Sequence, residues 1–131
     1  MRAFLAYCNG GFMSELETYG MLFYGFSKDC AVTVHSVISD ALSKEIDLIS
    51  ASSCEGEKLE DIIVRNGSGS FDEKDEAFLM LLGFDDDMLR NALESYPKNL
   101  RRPIFCTLTK NNLLWTPEFL LEHLIEEREN F

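Results

Sequence analysis

Uninterrupted apolar runs alternate with amphipathic stretches along this chain, a pattern that predicts strands followed by helices. The clearest run, Phe78-Leu79-Met80-Leu81-Leu82, ends at Gly83, and a similar run, Met21-Leu22-Phe23-Tyr24, ends at Gly25. Strands that are apolar without alternation are typical of sheets covered on both faces. We therefore expect these two runs to be the central strands of a sheet.

Each run is followed by a helical stripe, because apolar residues recur at three- and four-residue spacing. In the first half, Ser27 or Asp29 is expected to cap that helix; in the second, the helix begins near Asp85. Weaker strands are predicted at 46–51 and 104–109, where polar residues interrupt the apolar ones, as expected at sheet edges.

The second half of the chain repeats the order of the first. Gly25-Phe26 aligns with Gly83-Phe84 at an offset of 58, and Ser53 aligns with Thr109 at an offset of 56. We interpret the chain as a single domain with an internal repeat of two β-α-β-α units. Its predicted parts are an N-terminal extension (1–20), a first unit (21–65), a linker (66–76) and a second unit (77–131).

The predicted fold is α/β, with a four-stranded, mainly parallel sheet of order 2-1-3-4 and helices on both faces. Short strand–helix connections favour right-handed crossovers between parallel strands. The alternative is a ferredoxin-like α+β sandwich with one bare face. That alternative would require apolar and polar residues to alternate in the central strands, and they do not.

The formal net charge of −11 is the one unusual total of the 131 residues, and it argues against a nucleic-acid partner. The four cysteines are far apart, without Cys-x-x-Cys spacing, which favours reduced and mostly buried thiols. The apolar run near the N-terminus is at the lower limit of a signal core and follows a single basic residue, and no run approaches the length of a membrane span. We therefore expect a cytoplasmic protein without membrane contact, for which an oligomer is compatible with the sequence.

Three groups of residues are weighed as sites. Asp85-Asp86-Asp87 follow a central strand, where they could hold Mg²⁺, but three acids in this position more often cap a helix. Lys98, Arg101 and Arg102 form the basic cluster, an anion site or a solvated loop. His35 and His123 lack an acid and a nucleophile at motif spacing.

The least ordinary local sequence is Thr109-Lys110-Asn111-Asn112-Leu113-Leu114-Trp115-Thr116. As structure, it is a strand-to-helix turn in which an asparagine closes the turn, Trp115 packs on Leu120, and Thr116 and Pro117 begin the last helix. As a site, it places polar side chains beside a tryptophan at a strand end.

The chain resembles an uncharacterised bacterial family, domain of unknown function 3783. Leu108-Thr109, Asn112, Trp115, Thr116, Leu120 and Glu126 match the ending of that family, and Met21–Tyr24 resembles its opening strand. Lys110-Asn111 stand in place of its Pro-Thr, Gly25 in place of an asparagine, and Phe105-Cys106 in place of a basic-small pair. The resemblance covers residues 21–130 and implies no established activity.

From these observations we expect a non-enzymatic binding or regulatory module for a small ligand or a protein partner, with no cofactor, metal ligand or catalytic residue. The alternatives are a metal-assisted enzyme that uses Asp85–Asp87 and an acidic protein-interaction domain. The expected ligand-binding residues are Phe84, Asp85, Thr109, Asn112 and Trp115.

Overall fold

A four-stranded sheet lies between two layers of helices in the computed structural model, which describes residues 19–129. The strand order is β2-β1-β3-β4, as predicted from the sequence. In chain order the elements are β1 (Tyr19–Tyr24), α1 (Lys28–Leu42), β2 (Ile46–Ser50), α2 (Leu59–Val64), β3 (Phe78–Leu82), α3 (Asp86–Ser95), β4 (Ile104–Thr107), a 3-10 turn (Asn112–Leu114) and α4 (Pro117–Glu129).

The sheet is mixed, so the prediction of a mainly parallel sheet is wrong. β1 pairs in parallel with β2, and β3 with β4, but the central strands β1 and β3 are antiparallel. Each β-α-β crossover thus has the expected direction, whereas the connection between the two units does not.

The path of the chain after β2 explains this reversal. Residues 51–58 lead from β2 to the start of α2, where the amide of Leu59 donates to the carbonyl of Trp115 at 2.8 Å. After α2 the chain is back at the end of β2, where the amide of Ser68 donates to the carbonyl of Ser50 at 3.0 Å. Further along the linker, the amide of Lys74 donates to the carbonyl of Gly25 at 3.0 Å. β3 therefore starts beside the carboxyl end of β1 and must run antiparallel to it.

Both faces of the central strands are buried, which excludes the ferredoxin-like alternative with its bare face. Leu22 and Met80 pack with α2 and α4 on one face, and Met21, Phe23 and Leu79 pack with α1 and α3 on the other. All five side chains are fully buried. The edge strands are less covered, since all four residues of β4 are only partly buried.

The two central strands end in the same way. Gly25 and Gly83 follow them with φ angles of 88° and 80°, a conformation that a side chain would strain. Ser27 then caps α1, accepting from the amide of Cys30 at 3.3 Å, and Asp85 caps α3, accepting from the amide of Met88 at 2.8 Å. In the β1–β3 ladder, Leu22 pairs directly with Met80.

Two sequence predictions concern the ends of the chain. β1 begins at Tyr19, inside the predicted N-terminal extension, and the rest of that extension lies outside the described residues. Among residues 19–129, no helix combines the length and the apolar character that crossing a bilayer requires.

Candidate functional site

The turn between β4 and α4 is held by a reciprocal pair of hydrogen bonds between Thr109 and Asn112. The amide of Thr109 donates to Oδ1 of Asn112 at 2.8 Å, and the amide of Asn112 donates to Oγ1 of Thr109 at 3.1 Å. Nδ2 of Asn112 also donates to the carbonyl of Thr107 at 3.0 Å. Asn112 is buried, so its side chain serves the turn more than it serves a ligand.

α4 begins at the residues that the sequence predicted. Oγ1 of Thr116 accepts from the amide of Phe119 at 3.3 Å, and Pro117 occupies the first helical position, where its missing N–H costs nothing. Trp115 packs in the same apolar cluster as the buried Leu120. The direction in which α4 leaves the sheet is thus fixed by residues 115–120.

Thr109, Asn112 and Trp115, three of the five predicted ligand-binding residues, line one cleft of about 250 Å³. His123 and Glu127 line it as well. The ring of Trp115 lies edge-on to the ring of His123, with centroids 5.0 Å apart, and Nε2 of His123 lies 3.3 Å from Oε2 of Glu127. The cleft therefore combines an aromatic wall with a carboxylate.

Apolar side chains beside this cleft are exposed to solvent. Leu114 is 52% exposed and Phe119 is 50% exposed, and the rings of Phe119 and Trp115 meet edge-on with centroids 4.9 Å apart. We call the surface formed by Leu114, Trp115, Phe119 and His123 the aromatic surface, after the rings of the last three residues. Exposed acidic side chains of α4 accompany it: Glu118, Glu122, Glu126, Glu127 and Glu129.

Phe84 and Asp85 are not among the residues that line the cleft. Phe84 packs with the apolar cluster on the α1–α3 face, its ring 6.3 Å from that of Tyr19. Asp85 is the cap of α3, and Asp87 forms a salt bridge with Arg90 at 3.0 Å. Within residues 19–129, no cluster of three or more histidine, cysteine or acidic side chains could hold a metal ion. These contacts support the capping interpretation of Asp85–Asp87.

The residues of the basic cluster point to different neighbours. Nη1 of Arg101 donates to the carbonyl of Asp75 at 2.7 Å. Nη2 of Arg102 donates to the carbonyl of Leu93 at 3.3 Å, and its guanidinium lies over the ring of Phe105 at 5.0 Å. Arginine side chains therefore fasten the loop before β4 to the linker and to α3.

Two of the described thiols, those of Cys30 and Cys106, are poor nucleophiles. Cys30, Cys54 and Cys106 are free, and Cys8 lies outside the described residues. Burial raises the pKa of Cys106 to about 12. Burial also raises the pKa of Cys30, to which Glu73 adds and which Arg101 opposes. Both thiols are consequently protonated at neutral pH, and the nucleophile must be the thiolate.

Comparison with known proteins bears on the second half of the chain. Residues 77–131 match a family described as a domain of unknown function (DUF3783). The resemblance inferred from the C-terminal motif is confirmed over these residues. No curated protein and no solved structure matches the chain.

The DUF3783 match spans β3, α3, β4, the turn and α4, so it contains the whole aromatic surface. The match begins at Ala77, and the part of the resemblance drawn over residues 21–76 lies outside it. Sequence reasoning missed Leu114, Phe119 and His123 as parts of this surface. Phe119 and His123 are four residues apart and lie on one side of α4, and Trp115 continues the same spacing just before the helix begins. That spacing is the signal that could have found Phe119 and His123.

Proposed function

We propose that the protein is a binding module, not an enzyme. Its aromatic surface binds a basic, partly apolar segment of a partner protein. One observation carries the proposal: Leu114 and Phe119, each about half exposed, flank Trp115 where the 3-10 turn leads into α4, a helix rich in glutamates. Exposed aromatic residues supply much of the binding energy of protein interfaces.

Charge complementarity supports a basic partner. The only lysine or arginine of α4 is Arg128, and both of its terminal nitrogens are bonded to the carboxylate of Glu76, at 3.1 and 2.7 Å. The glutamates of α4 are thus left with His123 as the remaining basic side chain of their own helix. A lysine or arginine beside Trp115 and Glu127 would gain both a cation–π contact and an ion pair.

The dimensions of the cleft favour a protein segment over a small ligand at this place. Its volume, about 250 Å³, is below the roughly 300–1,000 Å³ typical of small-molecule sites. Both the oxygen and the nitrogen of the Asn112 side chain are already bonded within the turn. A partner side chain that enters the cleft while its neighbours cover Leu114 and Phe119 fits better.

A direct test measures the anisotropy of fluorescein-labelled amphipathic peptides added to the full chain. A leucine/lysine peptide is expected to bind, whereas peptides with serine for leucine or glutamate for lysine are expected to bind at least tenfold more weakly. Phe119→Ala should weaken binding about tenfold, a loss of about 1.4 kcal/mol. Trp115, the one tryptophan of the chain, should change its fluorescence on binding.

The matched control is Val32→Ala, because Val32 is 47% exposed but lies on α1, in the other helix layer. This variant should bind as the parent does. Equal loss in Val32→Ala and Phe119→Ala, or equal binding of the leucine and serine peptides, would refute the aromatic surface as the site.

We also propose that the two β-α-β-α units arose by duplication. The sequence offset of 58 relates Leu22 to Met80, and these residues pair directly at the middle of the antiparallel β1–β3 ladder. A two-fold axis through that pair would exchange the two units. An alignment of relatives that contain both units tests the idea: halves no more alike in any relative than unrelated β-α-β-α units would count against it.

A further inference from the structure

A second and larger cleft, of about 370 Å³, lies beyond the carboxyl end of β1, whereas the aromatic surface follows the carboxyl end of β4, at the other end of the strands. It opens where β1 ends and α1 begins, beneath the loop of residues 96–103. Its volume falls within the range of small-molecule sites, and carboxyl ends of strands are where open α/β sheets bind ligands. Phe26 and Ala77, both 4% exposed, contribute apolar surface to it.

Charged side chains of both signs line this cleft. Arg101 comes from the loop before β4, Asp29 from the first turn of α1 and Glu73 from the linker. Within residues 19–129, no salt bridge joins Arg101 to Asp29 or Glu73. The pKa of the Cys30 thiol, also in the cleft, is raised chiefly by burial but responds to Arg101 and Glu73 in opposite directions, so both charges act on the same space.

The position of Arg101 is fixed by the chain around it. Nη1 of Arg101 donates to the carbonyl of Asp75, and the carbonyl of Arg101 accepts from the hydroxyl of Tyr96 at 3.0 Å. Burial raises the pKa of Tyr96 to about 12, so this hydroxyl remains a donor at neutral pH. The other guanidinium N–H groups of Arg101 remain available to a ligand.

We propose that this cleft binds a small zwitterion, an α-amino acid with an apolar side chain. Its carboxylate pairs with the Arg101 guanidinium, its ammonium with Asp29 and Glu73, and its side chain with Phe26 and Leu100. A simple anion would meet the two carboxylates, and a simple cation would meet the guanidinium. Only a ligand that carries both charges close together satisfies both sides of the cleft.

Isothermal titration of the full chain with three probes of the same shape tests the proposal: L-leucine, L-leucinamide without the carboxylate, and 4-methylpentanoate without the ammonium. L-Leucine is expected to bind, and each of the other two at least tenfold more weakly. If L-leucine is too small or too large, L-valine, L-methionine or L-phenylalanine should bind in its place. Absence of binding for all four amino acids at 10 mM, or equal binding of L-leucinamide, would overturn the proposal.

Arg101→Gln should abolish amino-acid binding, and Arg90→Gln is the matched control because Arg90 is an exposed arginine paired with Asp87 on α3. Should Arg101→Gln fail to fold, alkylation of Cys30 in the parent chain gives a second readout, with Cys30→Ser to assign the modified thiol. The bound amino acid should slow that alkylation at least threefold. An unchanged alkylation rate at saturating amino acid would place the ligand elsewhere and refute the assignment.

Discussion

The junctions that follow β1 and β3 share one local plan: a glycine with positive φ ends the strand, and a polar side chain two residues later caps the helix. Their surroundings differ. Residues 43–45 connect α1 to β2 in a tight turn and approach the second junction, where Lys44 lies 5.6 Å over the ring of Tyr19 and Tyr19 meets Phe84. Residues 96–103, a longer connection, reach the first junction and form part of the 370 Å³ cleft. The two junctions therefore have the same backbone conformation but different surroundings, because the loop that approaches each of them differs in length.

The strand-to-helix connections of the two units differ in the opposite sense. At the offset of 56, Gly56 in the first unit corresponds to Asn112 in the second. A side-chain atom added at Gly56 would meet nothing within 4 Å, whereas Asn112 is buried and bonded to Thr107 and Thr109. In the second unit, therefore, a side chain holds this turn and thereby positions α4 and the aromatic surface.

The largest expected effect concerns the pair at the centre of the sheet. Leu22→Ala and Met80→Ala should each lower the free energy of unfolding by about 2–5 kcal/mol, because both side chains are fully buried and a cavity would remain. Urea denaturation followed by far-ultraviolet circular dichroism should show one transition for each variant. Two separate transitions in either variant would mean that the halves unfold independently, contrary to a shared core.

Alanine substitutions at Asn112 and at Gly56 test whether the two strand-to-helix turns differ in their contribution to stability. Asn112→Ala should lower the free energy of unfolding by about 1–3 kcal/mol, since it leaves the amide of Thr109 and the carbonyl of Thr107 without the side chain that bonds them. Gly56→Ala, the matched change, should leave stability within about 0.5 kcal/mol of the parent, as surface substitutions away from special features do. Equal losses in the two variants would show that the turns are structurally alike after all.

The smallest expected effect is a pH dependence of the ion pair that joins α4 to the end of the linker. The side-chain hydrogen bond from Arg128 is the main cause that lowers the pKa of Glu76, so its contribution to stability is present above the pKa of Glu76 in the unfolded chain and is lost as pH falls through the lower folded value. Glu76→Gln should lower the melting temperature slightly at pH 7 and hardly at all at pH 3. The change at pH 7 should be small, because exposed ion pairs contribute little. A melting temperature unchanged at pH 7 would show that this pair does not hold α4.

Sequence patterns were sufficient for the positions of the central strands and for the caps at Asp85 and Thr116, because local apolar runs and cap chemistry determine them, and they narrowed the cap of α1 to Ser27 or Asp29. The strand order followed from the apolar composition of the central strands and the β-α-β crossovers. The direction of β3 was not predictable in this way. It depends on where α2 returns the chain, as seen in the bonds from Ser68 to Ser50 and from Lys74 to Gly25, which join residues far apart in sequence. The same holds for the site: Asn112 and Trp115 stood out as a motif, whereas Arg101, Asp29 and Glu73 come together only through tertiary packing.

The antiparallel pairing of β1 with β3 also divides the electrostatic field of the helices. In a wholly parallel sheet the positive N-terminal ends of successive helices gather at one edge and reinforce each other toward a phosphate group. Here α1 starts beyond the carboxyl end of β1, and α3 starts beyond the carboxyl end of β3, which lies at the other end of the antiparallel pair. The two helix dipoles therefore oppose each other, and each edge of the sheet acquires its preference for a ligand from its own loops and side chains.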